Sequence, residues 1–200
     1  INIMPEILLN PGPVVLSERV RNAMLRPDLC HRETEFAELQ NSICHDLLKV
    51  YTLPEDKWAA ILMTGSGTAA MEAMMTSLVP DHGKVLIIEN GVYGERLSKI
   101  AEIHQINHIS LHHEWGAAID LKLLEDELQY HDELSHVAVV HHETTTGRLN
   151  DLAGIAEVCA RYNLPVLLDG VSSFGAEDIE FEAWNIAACA ATANKCLHAV

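Results

Sequence analysis

Basic residues are scarce in this sequence, which has 13 lysines and arginines against 29 aspartates and glutamates and a formal net charge of −16. Nucleic acids and anionic membrane surfaces attract basic proteins, so the charge argues against non-specific binding to either. The sequence also has no Cys-x-x-Cys pair, and its five cysteines are scattered and odd in number. This pattern favours reduced, individually buried thiols in a cytoplasmic protein over a disulfide framework.

Long apolar runs and targeting signals are missing as well. The most apolar stretch near the end of the sequence, residues 184–193, is too short to span a bilayer. Residues 1–9 contain Pro5 and Glu6 and have no basic start, so they lack the pattern of a signal peptide. We therefore expect a soluble, cytoplasmic protein without a membrane segment. Its 200 residues suffice for one sizeable domain.

Short apolar runs alternate with amphipathic stretches from residue 59 onward, and no linker, repeat or low-complexity tract interrupts them. Buried parallel strands read as continuous apolar runs, so the pattern predicts an α/β domain with a mostly parallel sheet and helices on both faces. Residues 1–33 are expected to form an irregular segment with one short helix, followed by a large domain at 34–200. The predicted strands are 59–63, 84–89, 107–111, 136–141, 165–169 and 186–192, and the predicted helices are 17–26, 34–51, 65–78, 94–105, 121–130 and 152–162.

A glycine-rich turn at residues 65–70 follows one predicted strand and opens a helix. The backbone N–H groups of Ser66, Gly67 and Thr68 would point at an anion, and the helix dipole would add to the attraction. A nucleotide P-loop is excluded because no Gly-Lys-Ser/Thr follows. The turn also matches the dinucleotide fingerprint Gly-x-Gly-x-x-Ala, with Glu89 placed for a ribose contact. Taken alone, the segment leaves a nicotinamide cofactor, a simple phosphate group and a turn without a ligand all open.

Asp169 ends an apolar run and Lys195 follows a second one. This order suits pyridoxal 5'-phosphate (PLP) bound as a lysine Schiff base, with an ionised carboxylate that keeps the pyridine nitrogen protonated. Asp169 is the candidate carboxylate, and Lys195 supplies the amine that would later move the Cα proton. The small apolar residues at 187–193 predict a buried location for this lysine. A helix-capping aspartate and a solvated lysine are the ordinary alternatives.

Other positions have roles under the same hypothesis. Residues 64–68 would hold the phosphate group at the opposite end of the ring. The three consecutive threonines at 144–146, which follow the predicted strand 136–141, offer hydroxyls to the ring oxygen. Val171 has a size suited to one face of the ring, and Tyr93 to stacking on the other.

Several short motifs extend this interpretation over nearly the whole chain. They are LNPGP at 9–13, MLRPDLCHRE at 24–33, GSGT at 65–68, NGVYGER at 90–96, HETTTG at 142–147, SSFG at 172–175 and ANKC at 193–196. With these motifs the chain resembles the class V aminotransferases of PLP fold type I. The threonine run and the Leu-Cys-His-Arg-Glu segment are most similar to the 2-aminoethylphosphonate–pyruvate transaminase subgroup.

The resemblance implies that Lys195 is the Schiff-base lysine and Asp169 the partner of the pyridine nitrogen. It implies that residues 66–68 bind the phosphate, that Tyr93 stacks on the ring and that Thr144 lies near the ring hydroxyl. The implied reaction moves the amino group of 2-aminoethylphosphonate to pyruvate, giving phosphonoacetaldehyde and alanine. The substrates would thus be a small amine and a 2-oxo acid, and the enzyme a homodimer.

The chain also differs from the family pattern. Gly170-Val171 stands where Ala-Met is expected, and residues 197–199 read Leu-His-Ala where Ile-Glu-Gly is expected. Family members are longer, so we expect the C-terminal small domain, the arginine for the substrate acid group and the partner-subunit phosphate ligands to be absent from this chain. Three alternatives remain: another class V enzyme that uses an amino acid with pyruvate or glyoxylate, a truncated non-catalytic fragment, and a nicotinamide oxidoreductase.

Histidine pairs such as His112-His113 do not predict a metal site, because neighbouring side chains on a strand point to opposite faces. His142 is instead a candidate for the substrate end of the cofactor pocket. Arg32 is a candidate partner for a phosphonate or carboxylate, since guanidinium suits bidentate anion binding, and an ordinary surface arginine is the alternative.

Overall fold

The computed structural model describes residues 7–200, so residues 1–6 of the expected N-terminal segment lie outside the described part. Two compact units divide the chain, one of residues 65–192 and one of residues 1–64 with 193–200. The division expected after residue 33 stays a prediction. Within residues 7–200, no helix is both long enough and apolar enough to cross a bilayer.

Helices and strands alternate through most of the chain. The helices are α1 Glu18–Ala23, α2 Thr34–Lys49, α3 Gly67–Leu78, α4 Val92–Ile103, α5 Leu121–Tyr130 and α6 Leu152–Arg161. The strands are β1 Lys84–Glu89, β2 His108–His112, β3 Leu134–Val140, β4 His142–Glu143, β5 Arg148–Leu149, β6 Val166–Asp169 and β7 Ile186–Ala190.

A five-stranded sheet forms the centre of the unit at residues 65–192. Its order is β2-β1-β3-β6-β7 and every neighbouring pair is parallel. Val140, the last residue of β3, pairs with Asp169, the last residue of β6. The carboxyl ends of these strands therefore share one edge, where α/β sheets bind their ligands. Next to it, β4 and β5 form a short antiparallel ladder that pairs Glu143 with Arg148.

The core of this unit lies where the central strands meet α3 and α4. Ile87, Ala138 and Leu167, on three neighbouring strands, are fully buried and pack with Met75 of α3 and Leu97 of α4. Full burial of a Val, Leu, Ile, Phe or Met side chain stabilises the folded state by about 1.5–3 kcal/mol. This packing fixes the positions of the strands and therefore of their ends.

Side-chain caps begin three helices of this unit. Ser66 accepts a hydrogen bond from the backbone of α3, as Asp120 does for α5 and Asp151 for α6. Such caps satisfy amide groups that have no partner inside the helix. Helix α4 differs, because its N-cap residue is Gly91 and has no side chain.

The unit of residues 7–64 and 193–200 contains α1 and α2. Ser17 caps α1 as predicted, accepting from the Val20 amide. The apolar period of residues 34–51 is confirmed as α2, in which Leu48 is the buried residue.

The predicted α/β class and parallel sheet are confirmed, and β1 and α5 have the predicted bounds. The predicted strand at residues 59–63 is wrong. This segment has no strand partner among residues 7–200, and Ile61 is 82% exposed. An apolar run forms a strand only where a neighbour takes its backbone hydrogen bonds. The short strands β4 and β5 were not predicted.

Candidate functional site

The N-terminus of α3 is a tightly packed turn. The Ser66 hydroxyl accepts from the Ala69 amide at 3.3 Å. A Cβ atom at Gly67 would lie 2.7 Å from Thr192 Cγ2 and 3.0 Å from Val171 Cγ2. Only glycine therefore lets the backbone lie against these two side chains, with the positive end of the helix dipole beside them.

Thr192 leaves a polar atom without a partner at this turn. Its Oγ1 is buried and makes no hydrogen bond with any of the described residues, while its methyl group lies against Gly67. A buried hydroxyl without a partner is unfavourable by about 1–3 kcal/mol. The hydroxyl is therefore available to a ligand that occupies the helix N-terminus.

Arg96 connects the turn to the predicted ring-stacking residue. Its Nη1 donates to the Thr68 hydroxyl at 3.2 Å, and its guanidinium carbon lies 4.6 Å from the centroid of the Tyr93 ring. The guanidinium thus brings a positive charge to the side of Thr68 and covers one face of the tyrosine.

Asp169 is the buried carboxylate at the carboxyl end of β6. Its Oδ1 accepts from the Val171 amide at 3.0 Å. Burial raises the pKa of Asp169 to about 6. The hydrogen bond from Val171 opposes this rise, the negative charge of Glu143 adds to it, and Arg96 opposes it. At neutral pH the carboxylate is mostly ionised in a site that favours a positive partner.

The loop after β4 contains the three threonines. The Thr145 hydroxyl donates to Glu143 Oε1 at 2.7 Å, and Thr146 donates to the Glu143 carbonyl at 3.3 Å. Thr144 is half-buried at the start of this loop. His142 is also half-buried, and its Nδ1 lies 3.2 Å from the carbonyl oxygen of Ser172, which follows β6.

Glu89 does not have the free carboxylate that a ribose contact requires. It is buried at the end of β1, where the Ser98 hydroxyl donates to it and His112 Nδ1 lies 2.7 Å from its Oε2. With both oxygens engaged, the carboxylate is not available for a nucleotide. The glycine-rich turn is therefore better explained by a phosphate group alone.

Lys195 and Arg32 belong to the other compact unit. Lys195 is half-buried, less than its apolar surroundings predict, and its Nζ donates to the Pro11 carbonyl at 3.2 Å. Arg32 is exposed in the turn before α2. Their approach to Asp169 or to a substrate stays a prediction.

Histidine and carboxylate side chains do not gather into a metal site in the part of the chain that the structure describes, where no group of three or more candidate ligands is found. Burial lowers the pKa of His141 to about 4, and the neighbouring His142 adds to this effect. His141 is therefore neutral at physiological pH.

A model of the aminotransferase class-V family matches residues 28–199. The chain belongs to the class V aminotransferase family. Its parallel sheet and helices are the large domain of PLP fold type I, as in solved aminotransferases. The structure of pyridoxamine–pyruvate aminotransferase from Mesorhizobium loti is similar with a TM-score of 0.88 and 26% identity, over 98% of this chain and 49% of that one. The structure of alanine–glyoxylate aminotransferase from Nostoc is similar with a TM-score of 0.87 and 30% identity, over 100% of this chain and 52% of that one.

Curated relatives include a 2-aminoethylphosphonate–pyruvate transaminase from Phocaeicola vulgatus, 36% identical over 98% of this chain and 54% of that protein. Another is a bifunctional phosphonoacetaldehyde hydrolase/aminoethylphosphonate transaminase from Clostridioides difficile, 36% identical over 97% of this chain and 30% of that protein. The chain thus spans about half the length of the first relative and less of the second.

PLP is the cofactor that membership of this family supports, and the residues of the unit at 65–192 fit it. The turn at residues 66–68 opens α3, whose N-terminus suits an anion, and the Thr192 hydroxyl, unpartnered among the described residues, suits a phosphate oxygen. The buried carboxylate of Asp169 suits a protonated ring nitrogen. Tyr93 and Val171 are half-buried and pack against the core beneath this edge of the sheet.

Sequence reasoning missed Thr192, Arg96 and Glu143. Thr192 lies three residues before Lys195 in the sequence. That its hydroxyl lacks a partner among the described residues is known only from the structure, in which Thr192 follows β7 and lies against Gly67. Arg96 follows Tyr93 by three residues, the helical spacing that places two side chains on one face. That spacing could have predicted their contact.

Proposed function

We propose that the protein transfers the amino group of 2-aminoethylphosphonate to pyruvate, giving phosphonoacetaldehyde and alanine with PLP as cofactor. The observation that carries this proposal is the 36% identity to the P. vulgatus transaminase across 98% of this chain. The buried Asp169 and the anion-binding turn at residues 66–68 support the cofactor half of it. Because the chain matches about half of that relative, the activity belongs to the whole protein.

The residues of the chain have distinct tasks in this proposal. Bound PLP supplies an electron sink for the negative charge that develops at the substrate carbon. The Asp169 carboxylate holds a proton on the ring nitrogen, while Ser66, Gly67 and Thr68 bind the phosphate. The Lys195 amine would hold the cofactor covalently and would move the proton at the substrate carbon.

Three half-buried side chains would hold the ring. Tyr93 would stack on one face and Val171 would pack on the other, while the Thr144 hydroxyl would donate to the ring oxygen. His142 takes the substrate end, and Arg32 pairs with an acid group of the substrate.

A second candidate reaction uses an amino acid as donor and pyruvate or glyoxylate as acceptor. The 30% identity to the Nostoc alanine–glyoxylate aminotransferase, over the whole of this chain, favours it. Gly170-Val171 also stands beside Asp169 where Ala-Met is expected. A change of residues at this position would be consistent with a different substrate.

The cofactor half is tested by adding PLP to the purified protein. We expect a visible absorbance band, and borohydride should fix the cofactor to Lys195 in peptide mass spectra. Lys195→Ala should abolish both signals, whereas Lys122→Ala, at an exposed position on α5, should retain them. Saturable NAD binding without the band would contradict the proposal.

The substrate half is tested by single-turnover reactions of the PLP-loaded protein. We expect 2-aminoethylphosphonate to convert the visible band to that of the amino form of the cofactor, with alanine and serine slower. Turnover with an amino acid and none with the phosphonate would transfer the assignment to the second candidate. Loss of all turnover with PLP still bound would identify a non-catalytic fragment.

We also propose a cytoplasmic homodimer, as the family resemblance implies. Light scattering of the PLP-loaded protein should give twice the mass of the chain, which is 22.1 kDa. The mass of a single chain would contradict the dimer.

A further inference from the structure

Glu143 is a buried carboxylate to which the proposed function assigns no task. It is fully buried at the end of β4. Its Oε2 accepts from the amides of Tyr93 and Gly94 at 2.9 and 3.3 Å, and its Oε1 accepts from the Thr145 hydroxyl. Within the described residues this charge is held by hydrogen bonds and not by an ion pair. A desolvated charge with this many donors is held in one geometry.

The carboxylate replaces a missing helix cap. Tyr93 and Gly94 occupy the first turn of α4, whose amides have no partner inside the helix. The residue that would normally cap them is Gly91, which has no side chain. A Cβ atom at Gly91 would collide with the Glu143 side chain, so this glycine leaves the space that Glu143 occupies. A residue of β4 thus fixes the start of a helix that begins some fifty residues earlier.

Two parts of the candidate site meet at this one side chain. The first is the opening turn of α4, which carries Tyr93 and, one turn on, Arg96 with its contacts to the Tyr93 ring and to Thr68. The second is the loop of Thr144 and Thr145. A shift of the Glu143 carboxylate would move both parts together.

We propose that Glu143 is a positioning residue of the PLP site: its carboxylate sets the position of the Tyr93 ring through the backbone of α4 and the position of Thr144 through the Thr145 hydroxyl. This proposal rests on the proposed function for its cofactor, but the hydrogen bonds themselves are independent of it. A second observation supports a coupling to the ring-nitrogen partner, since the charge of Glu143 raises the pKa of Asp169.

Two substitutions separate the geometry from the charge. Glu143→Gln keeps an oxygen for the two amides but is neutral, whereas Glu143→Ala removes the oxygens altogether. Glu89→Gln is the matched control, because Glu89 is a buried carboxylate held by Ser98 and His112, whereas the Tyr93 and Gly94 amides donate to Glu143. The Cβ of Glu89, which lies beside Gly94, is kept in this substitution.

Amide hydrogen exchange in the protein without PLP reports the cap directly. In Glu143→Ala the Tyr93 and Gly94 amides should exchange about tenfold faster or more, as expected for the loss of hydrogen bonds to a charged group. Glu143→Gln should restore much of the protection. The control should exchange at the wild-type rate. Wild-type rates at both amides in Glu143→Ala would overturn the proposal.

The charge is tested by titrating the Asp169 carboxyl with NMR. Glu143→Gln should lower the pKa of Asp169, because it removes a neighbouring negative charge, and Glu89→Gln should leave it unchanged. A purely structural Glu143 would predict no change in Glu143→Gln, and that result would overturn the coupling.

PLP binding completes the test. The PLP Kd should rise about tenfold in Glu143→Ala and less in Glu143→Gln. A wild-type Kd in Glu143→Ala would overturn the positioning role even if the cap is lost. Failure of the wild-type protein to bind PLP would overturn the proposed function, while the exchange rates would still decide whether Glu143 caps α4.

Discussion

Asp169 is a buried acidic residue, and its burial opposes ionisation of its carboxyl group. A carboxyl group removed from water favours its neutral form, which is why the pKa of Asp169 is raised to about 6. A protonated pyridine nitrogen at the same carboxylate would oppose that effect. The buried carboxylate therefore lowers the unfolding free energy of the cofactor-free protein at neutral pH, and a cationic partner would offset this loss.

The stability of Asp169→Asn should reveal this opposition. A raised pKa favours folding below the unfolded-state pKa of about 4, and the contribution is lost as pH rises through about 6. We expect the substitution to change little at pH 4 and to raise the free energy of unfolding of the cofactor-free protein at pH 8 by at most about 3 kcal/mol. Urea unfolding from pH 4 to 8 measures it.

The exposed Asp178 provides the control for that experiment. Asp178→Asn should leave the pH dependence of the unfolding free energy as it is in the wild-type protein. If Asp169→Asn behaves in the same way, the opposition between burial and charge at Asp169 is contradicted.

Thr192 should show opposite effects on stability and on binding. Thr192→Val replaces an unpartnered buried hydroxyl by a methyl group, so the unfolding free energy of the cofactor-free protein should be unchanged or rise by about 1 kcal/mol. The PLP Kd should rise about tenfold, since a hydrogen bond to a charged phosphate is lost. Thr192→Ser should keep wild-type affinity. Equal affinity of the valine variant, measured by absorbance titration, would mean that the hydroxyl does not contact the cofactor.

Helix α3 begins with a single side-chain cap. Ser66 accepts from the Ala69 amide at 3.3 Å, and the helix has twelve residues. Ser66→Ala should lower the unfolding free energy by about 1 kcal/mol, while Ser66→Gly should lower it by only a few tenths. Urea unfolding without cofactor separates this from any effect on phosphate binding. Equal losses in the two variants would argue against a capping role.

The elements that could be predicted from the sequence are those with local causes. Strand β1 is an uninterrupted apolar run, and α5 begins behind Asp120, whose carboxylate caps it. The apolar run at residues 59–63 has the same local pattern, but it lacks a pairing partner among the described residues. A partner is a property of the fold and is invisible in a single segment.

The same distinction applies to the candidate site. A glycine-rich motif marks the turn at residues 66–68, and the end of an apolar run marks Asp169. Both could therefore be named as candidates from the sequence. Glu143 and Thr192 matter through contacts with Tyr93 and Gly67, which lie far away in the sequence. Nothing in the local sequence around a glutamate or a threonine predicts such contacts.

Stability should be distributed unevenly along the whole chain. Residues 85–88 of β1, 137–140 of β3 and 166–168 of β6 are fully or almost fully buried, whereas α1 has no buried residue. We expect amide exchange to be slowest in those three strands and fast in α1, because buried hydrogen bonds open only with the larger unit. Mass spectrometry of exchanged peptides measures this. Stronger protection of α1 than of β3 would contradict the distribution.

The strand order β2-β1-β3-β6-β7 has a consequence for the protein while it is being made. The strands that flank β3 on its second side, β6 and then β7, follow it in the sequence and leave the ribosome after it. Until they do, β3 is an edge strand whose unpaired backbone groups can join another chain. Asp169 and Thr192 emerge with or after these strands. A cofactor held by those two residues would therefore stabilise the folded sheet but could not protect the edge of β3 before β6 and β7 have emerged.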